Sequence, residues 1–189
     1  MVKPEAKKCR LQGSLLRGDV CGIVAVIAIS GKSEAEARAA ISSAAAERGQ
    51  SVVPNFDTSQ FCDQARALEI LGGILSNMRN EPIQARNMRA NRQWKKKWLG
   101  EQPTIAQFLE WYSRNGCPDR MLVHATGPLP NGTDLASHTF ALDRGRYFDN
   151  NTVAGKPVEI REAIKSALAM RVVDVLRVQR PPGRRKKVS

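Results

Sequence analysis

The sequence predicts an α+β protein, with helices in its first half and a small antiparallel sheet in its second. Three observations predict this. An apolar run at 20–29 holds one cysteine and leads into an alanine-rich segment with strong helix signals. Two alternating segments flank a tight Asp143-Arg144-Gly145 turn, as in a β-hairpin. A further apolar stretch, 172–178, reads as a final strand. The 189 residues suffice for one domain with a real core.

The elements follow in chain order. Residues 1–17 carry Lys3, Lys7, Lys8, Arg10 and Arg17 and read as a basic leading arm. The run 20–29 is rich in β-branched residues, so a buried strand competes with a helix. Gly18-Asp19 supplies a cap-like start and favours the helix. Ser33, followed by Glu36 three residues on, is a capping box. The alanine-rich run then continues to Arg48, and Gly49 stops it. Residues 50–59 form a loop containing Pro54, Asn55 and Asp57. A second long helix is expected over 60–79, with Phe61, Ala65, Leu68 and Leu71–Leu75 on one face and Gly72-Gly73 weakening or bending it.

Pro103 to Tyr112 predicts a short amphipathic helix with Thr104 as N-cap and Asn115-Gly116 beyond it. Residues 121–125 read as a strand, which Gly127-Pro128-Leu129-Pro130-Asn131-Gly132 should end. In the hairpin that follows, 137–142 is the first strand and 146–149 the return. Residues 160–170 read as helical. The end of the chain, through Arg184-Arg185-Lys186-Lys187, has the composition of a disordered basic tail. The expected organisation is an arm at 1–17, a domain at 18–178 and a tail at 179–189.

Several classes are disfavoured. No run of 18 or more apolar residues occurs, so no membrane span and no membrane partner is expected. The N-terminus has no apolar segment after its basic start, so no secretory signal is expected. Cys9, Cys21, Cys62 and Cys117 are widely spaced without a CxxC pair. Free thiols in a reducing, cytoplasmic setting are therefore expected, with no metal and no cofactor. The net charge of +12 would attract nucleic acid, an acidic protein surface or the interior of an acidic assembly. Residues 86–98 add Arg86, Arg89, Arg92, Lys95, Lys96 and Lys97, interleaved with Trp94 and Trp98. That pattern suits phosphate contacts and base stacking, and equally a solvated face with a Trp packed inward.

Two stretches carry chemistry. A cysteine at a helix start meets unsatisfied backbone N–H groups and the positive end of the helix dipole. Such a setting favours the thiolate nucleophile, and the same N–H groups can hold a substrate oxyanion. An inert core cysteine fits this stretch as well. The second stretch is the hairpin. His138, one of only two histidines, opens a strand whose partner ends in Asp149-Asn150-Asn151. The turn brings a carboxylate or amide near the imidazole, and an oriented base is what a cysteine nucleophile needs.

In its order of motifs the chain resembles papain-like cysteine peptidases, in the compact form of bacterial and bacteriophage proteins. Gly18 to Ala28 with Gly31-Lys32-Ser33-Glu34 is similar to their nucleophile helix and its follow-on helix, Pro103 to Tyr112 to the short helix before their sheet, and His138 to Asp149 to their histidine hairpin. The resemblance spans roughly 18–50 and 100–150. It implies a papain-like fold, with N-terminal helices on a small antiparallel sheet. It also implies Cys21 as nucleophile, His138 as base and later acid, and Asp149 or Asn150 as the group orienting the imidazole. The implied substrate is a peptide or isopeptide bond in a protein or peptide. Family members carry a glutamine shortly before the cysteine, and that position is Leu15 here. Gln12 and Asp19 are the nearest candidates for the second oxyanion donor. Loss of such a donor costs about 10²–10³-fold. The long insert Gly127–Ala136 before His138 is a further departure. The competing expectation is a weak or inactive peptidase-shaped structural protein of a virion or other nucleoprotein assembly, bound through its basic arms.

Overall fold

The computed structural model describes residues 21–50, 60–77, 102–114, 120–128, 135–150 and 157–179. Within them the architecture is α+β: a six-stranded sheet with helices on both faces. Helices α1 (Cys21–Ser30), α2 (Glu34–Glu47) and α3 (Phe61–Ile70) come first, then β1 (Ile74–Asn77) and α4 (Ile105–Arg114). Strands β2 (Arg120–Pro128), β3 (Leu135–Asp143), β4 (Arg146–Phe148) and β5 (Val158–Glu159) follow, then α5 (Ile160–Lys165) and β6 (Arg171–Gln179). The strand order is β1-β6-β2-β3-β4-β5, and every pairing is antiparallel.

Within the β-branched run expected at 20–29, residues 21–29 are helical because they are enclosed. Gly22 to Ile27 and Ile29 are buried, and α1 packs against β3, α2 and α3. A helix surrounded by protein carries no polar stripe, so its sequence shows no amphipathic period. With Ile41, Leu68, Leu122 and Ala141, α1 forms the core on one face of the sheet. On the other face α4 and α5 supply Phe108, Leu109, Tyr112 and Ile160 against Phe140, Val172 and Val175. Each fully buried side chain of this size contributes about 1.5–3 kcal/mol.

The capping signals behave as read. Ser33 Oγ accepts from the Glu36 N–H while the Glu36 carboxylate accepts from the Ser33 N–H. The hydrogen bonds to Ser33 hold the Glu36 carboxyl down at about 2. Thr104 and Gln107 make the same reciprocal pair ahead of α4. At the far end of α2, Arg48 grips the buried carboxylate of Asp63 through two nitrogens and so ties α2 to the start of α3.

Four expectations need correction. The helix expected over 60–79 ends at Ile70, and 74–77 is an edge strand on β6. Gly72, at φ +88°, and Gly73 cap the Glu69 and Leu68 carbonyls in a Schellman turn, so the glycine pair is a stop rather than a bend. Its buried face uses Ala67 and Leu68, with Ala65 only half-buried. The helix expected over 160–170 closes at Lys165. Strand β2 continues through Gly127 to Pro128, which pairs with Leu135. Gly127 is needed there because a Cβ would meet Met170 Cα at 3.0 Å, and a proline is tolerated at a strand end. Strand β6 includes Gln179, one residue into the expected tail. The loop at 51–59, the arm 1–17 and the basic stretches at 86–98 and 180–189 lie outside the described residues.

A cysteine–histidine–aspartate site at the start of α1

Cys21 is the first residue of α1 and is half-buried. At that position it meets the positive end of the helix dipole. His138 lies in β3, two strands in from the β5 edge of the sheet, and is buried. Strand β4 returns from the Arg144-Gly145 turn, where both residues have positive φ, as a type I′ turn requires. The register Leu142↔Tyr147 and Ala141↔Phe148 then carries the next residue, Asp149, back toward His138.

His138 Nε2 lies 3.0 Å from Asp149 Oδ2. Tyr147, on the same side of the return strand two residues earlier, donates its hydroxyl to that oxygen at 2.7 Å. The Cys21 thiol is near enough to the imidazole to help raise its pKa. With Nε2 on the carboxylate, Nδ1 is the nitrogen left for the thiol. His138 thus stands between a sulfur and a carboxylate.

Burial disfavours the charged imidazolium of His138, but the hydrogen bond it donates to Asp149 and then its interaction with Cys21 outweigh it. Together with the charges of both groups they push His138 up to about 10. Tyr147 is raised well above the ordinary phenol range, first by burial and then by the adjacent Asp149 charge. It stays neutral and remains a donor. Phe140 packs beside both the His138 and Tyr147 rings, at centroid distances of 6.0 and 4.9 Å.

Three of the residues singled out from sequence, Cys21, His138 and Asp149, therefore meet. Of the two candidates for orienting His138, Asp149 is hydrogen-bonded to its Nε2. Asn150 is the next residue along. Gln12 and Asp19 lie outside the described residues, as do Arg86, Arg89, Arg92, Lys95, Lys96, Lys97, Arg184, Arg185, Lys186 and Lys187. Cys21 and Cys62 are free thiols. Among the described residues no group of three His, Cys, Asp or Glu side chains could hold a metal ion. No helix there is long and apolar enough to cross a membrane. The sequence reading missed Tyr147 as a site residue. Its signal was the period-two spacing to Asp149, which puts both on one side of the strand.

No family model, no curated protein and no solved structure matches this chain.

Proposed function

We propose that the chain is a thiol hydrolase of papain-like type, acting on a peptide or isopeptide bond through Cys21, His138 and Asp149. The observation that carries this reading is the meeting of a helix-start cysteine with a buried histidine whose other nitrogen is held by a carboxylate. A histidine raised to about 10 is charged at neutral pH and has a proton to give to a leaving amine.

In the proposed reaction the Cys21 thiolate attacks the substrate carbonyl carbon and an S–C bond forms. The carbonyl electron pair moves to oxygen, beside the positive end of the α1 dipole, which favours that charge. The tetrahedral intermediate collapses, the C–N bond breaks, and His138 gives its proton to the leaving amine. Neutral His138 then takes a proton from water, which hydrolyses the thioester and restores the thiol site. Asp149, supported by Tyr147, holds the ring and stabilises its charged form.

The test is the pH dependence of iodoacetamide alkylation at each of the four cysteines, followed by mass spectrometry, in wild type and in His138→Ala. The expected result is that Cys21 alone reacts well below pH 8.5, about the value of a free cysteine, and loses this in the variant. A Cys21 that is inert, or that behaves like the other three, defeats the hydrolase reading. The net charge of +12 favours a second reading, a basic structural part of a nucleoprotein assembly, and that outcome would leave it standing.

A further inference from the structure

The proposed reaction leaves the second histidine of the chain unused. His124 on β2 sits on the face of the sheet that carries α1 to α3, because it alternates with Leu122 of that core. Its ring stacks on Phe61, the first residue of α3, with centroids 4.9 Å and planes 16° apart. Its Nε2 lies 2.7 Å from Ser137 Oγ on β3. Its Nδ1 is buried and has no hydrogen-bond partner among the described residues.

One proton fits this setting and two do not. An orphaned buried N–H is rarer and costlier than an orphaned acceptor, so the neutral ring carries its hydrogen on Nε2 and donates to Ser137 Oγ. A second proton must go on Nδ1. That makes a buried, charged donor with nothing to accept from it. Attraction between an imidazolium and the face of Phe61 returns less than such a donor loses. The Phe61 ring covers one face of the imidazole, so moving it aside lets water in.

The charged groups around the ring do not reverse this. Asp174, directly opposite His124 on β6, favours the second proton, and His138 on β3 opposes it. Burial is the largest influence, and the net direction is downward from 6.5. On α3, Asp63 is bound by Arg48, Arg66 pairs with Glu47 and Glu69, and Cys62 lies beside Gln60. The titratable group of α1 is Cys21.

The fastenings of α3 differ in kind. Ala67 and Leu68 hold its second half in the core, which no proton alters. The Arg48–Asp63 pair ties its first turn to α2. The stack on His124 ties that turn to the sheet, through a ring that gains charge as pH falls below 6.5.

We propose that His124 is an acid-sensitive latch between α3 and the sheet: neutral, it holds Phe61 and the first turn of α3 in place, and protonated, it releases them. The latch stands apart from the thiol-hydrolase reading and needs no catalysis.

Amide hydrogen exchange in the full chain, followed by NMR, tests it. The Asp63 and Gln64 amides donate to the Gln60 carbonyl and report the first turn of α3. After correction for the chemical rate at each pH, they should exchange about tenfold faster at about pH 5 than at about pH 8, the worth of one unmet buried donor. Amides of β2 and β3 should keep their protection, and His124→Gln should abolish the acid increase. In wild type, the His124 ring and the Asp63 and Gln64 amide shifts should titrate with one midpoint below 6.5, a measurement that needs no variant.

An acid increase that survives His124→Gln overturns the proposal and assigns the opening to the Arg48–Asp63 pair. A His124 ring that takes its proton while the α3 amides stay protected overturns it too, as does a ring that stays neutral down to about pH 5. Slower exchange in acid also overturns it, since the charged ring would then grip Phe61 more tightly.

Discussion

The two histidines of this chain occupy neighbouring strands, and each places Nε2 within 3.0 Å of an oxygen, yet their charge states are opposite. His138 is the more deeply buried of the two. Burial alone would make it the more neutral. Instead it is raised to about 10, because its oxygen belongs to a carboxylate and a thiol lies on its other side. His124 meets a hydroxyl and the face of Phe61, and burial lowers it. A carboxylate in direct hydrogen bond, which His124 lacks although the Asp174 charge pulls its pKa up against burial, decides which imidazole can serve as an acid.

Removing the carboxylate should break the contrast most sharply. In Asp149→Asn the His138 pKa should fall by about 1–3 units, read from its ring-proton NMR shift against pH. His124 should titrate as in wild type. A His138 that still titrates near 10 would show that the Asp149 charge is not its main support.

Stability against pH sharpens the same contrast, since the two rings act on opposite limbs. The folded value of His138, about 10, lies above its reference of 6.5. The folded state holds an extra proton between those values, so this contribution is complete below 6.5 and is lost as pH rises through about 10. The folded value of His124 lies below 6.5, so its contribution is complete above 6.5 and is lost as pH falls. Denaturant unfolding across this range should therefore show the alkaline loss flattened in His138→Gln and the acid loss flattened in His124→Gln. The first change should be the larger, because His138 is the more deeply buried and bonds to a carboxylate. Equal slopes in wild type and both variants would contradict the assignment.

The smallest expected effect concerns the donor beneath the carboxylate. Tyr147→Phe leaves the ring packed on Phe140 and removes only the bond to Asp149 Oδ2. It should cost about 1–3 kcal/mol in unfolding free energy and leave the Cys21–His138 contact in place. Iodoacetamide reactivity at Cys21 should survive it. Loss of that reactivity would place Tyr147 among the groups that hold the ring itself.

Much of the site was legible before any fold was known. Cys21 stood at a helix start and His138 beside a hairpin turn, and both are local features that neighbouring residues dictate. The hairpin's register then brings Asp149 to His138 over a short span of chain, which left only Asp149 and Asn150 to choose between. Tyr147 was less visible, because a tyrosine in an alternating strand is ordinarily read as packing. The His124–Ser137 pair was invisible as a pair, since it depends on how β2 registers against β3.

The sequence by itself determined the α+β class, the capped starts of α2 and α4, the histidine hairpin and the candidate cysteine. Each rests on contacts within a few residues, where propensity and capping act directly. Tertiary structure alone decided that 74–77 is a strand on β6, that helices cover both faces of the sheet, and that the expected first helix is buried nearly all round. Those outcomes depend on burial against distant segments, which overrides local preference where it removes the most apolar surface from water. It also decided the charges of the two histidines, because a partner's charge reaches an imidazole only once folding has placed it there.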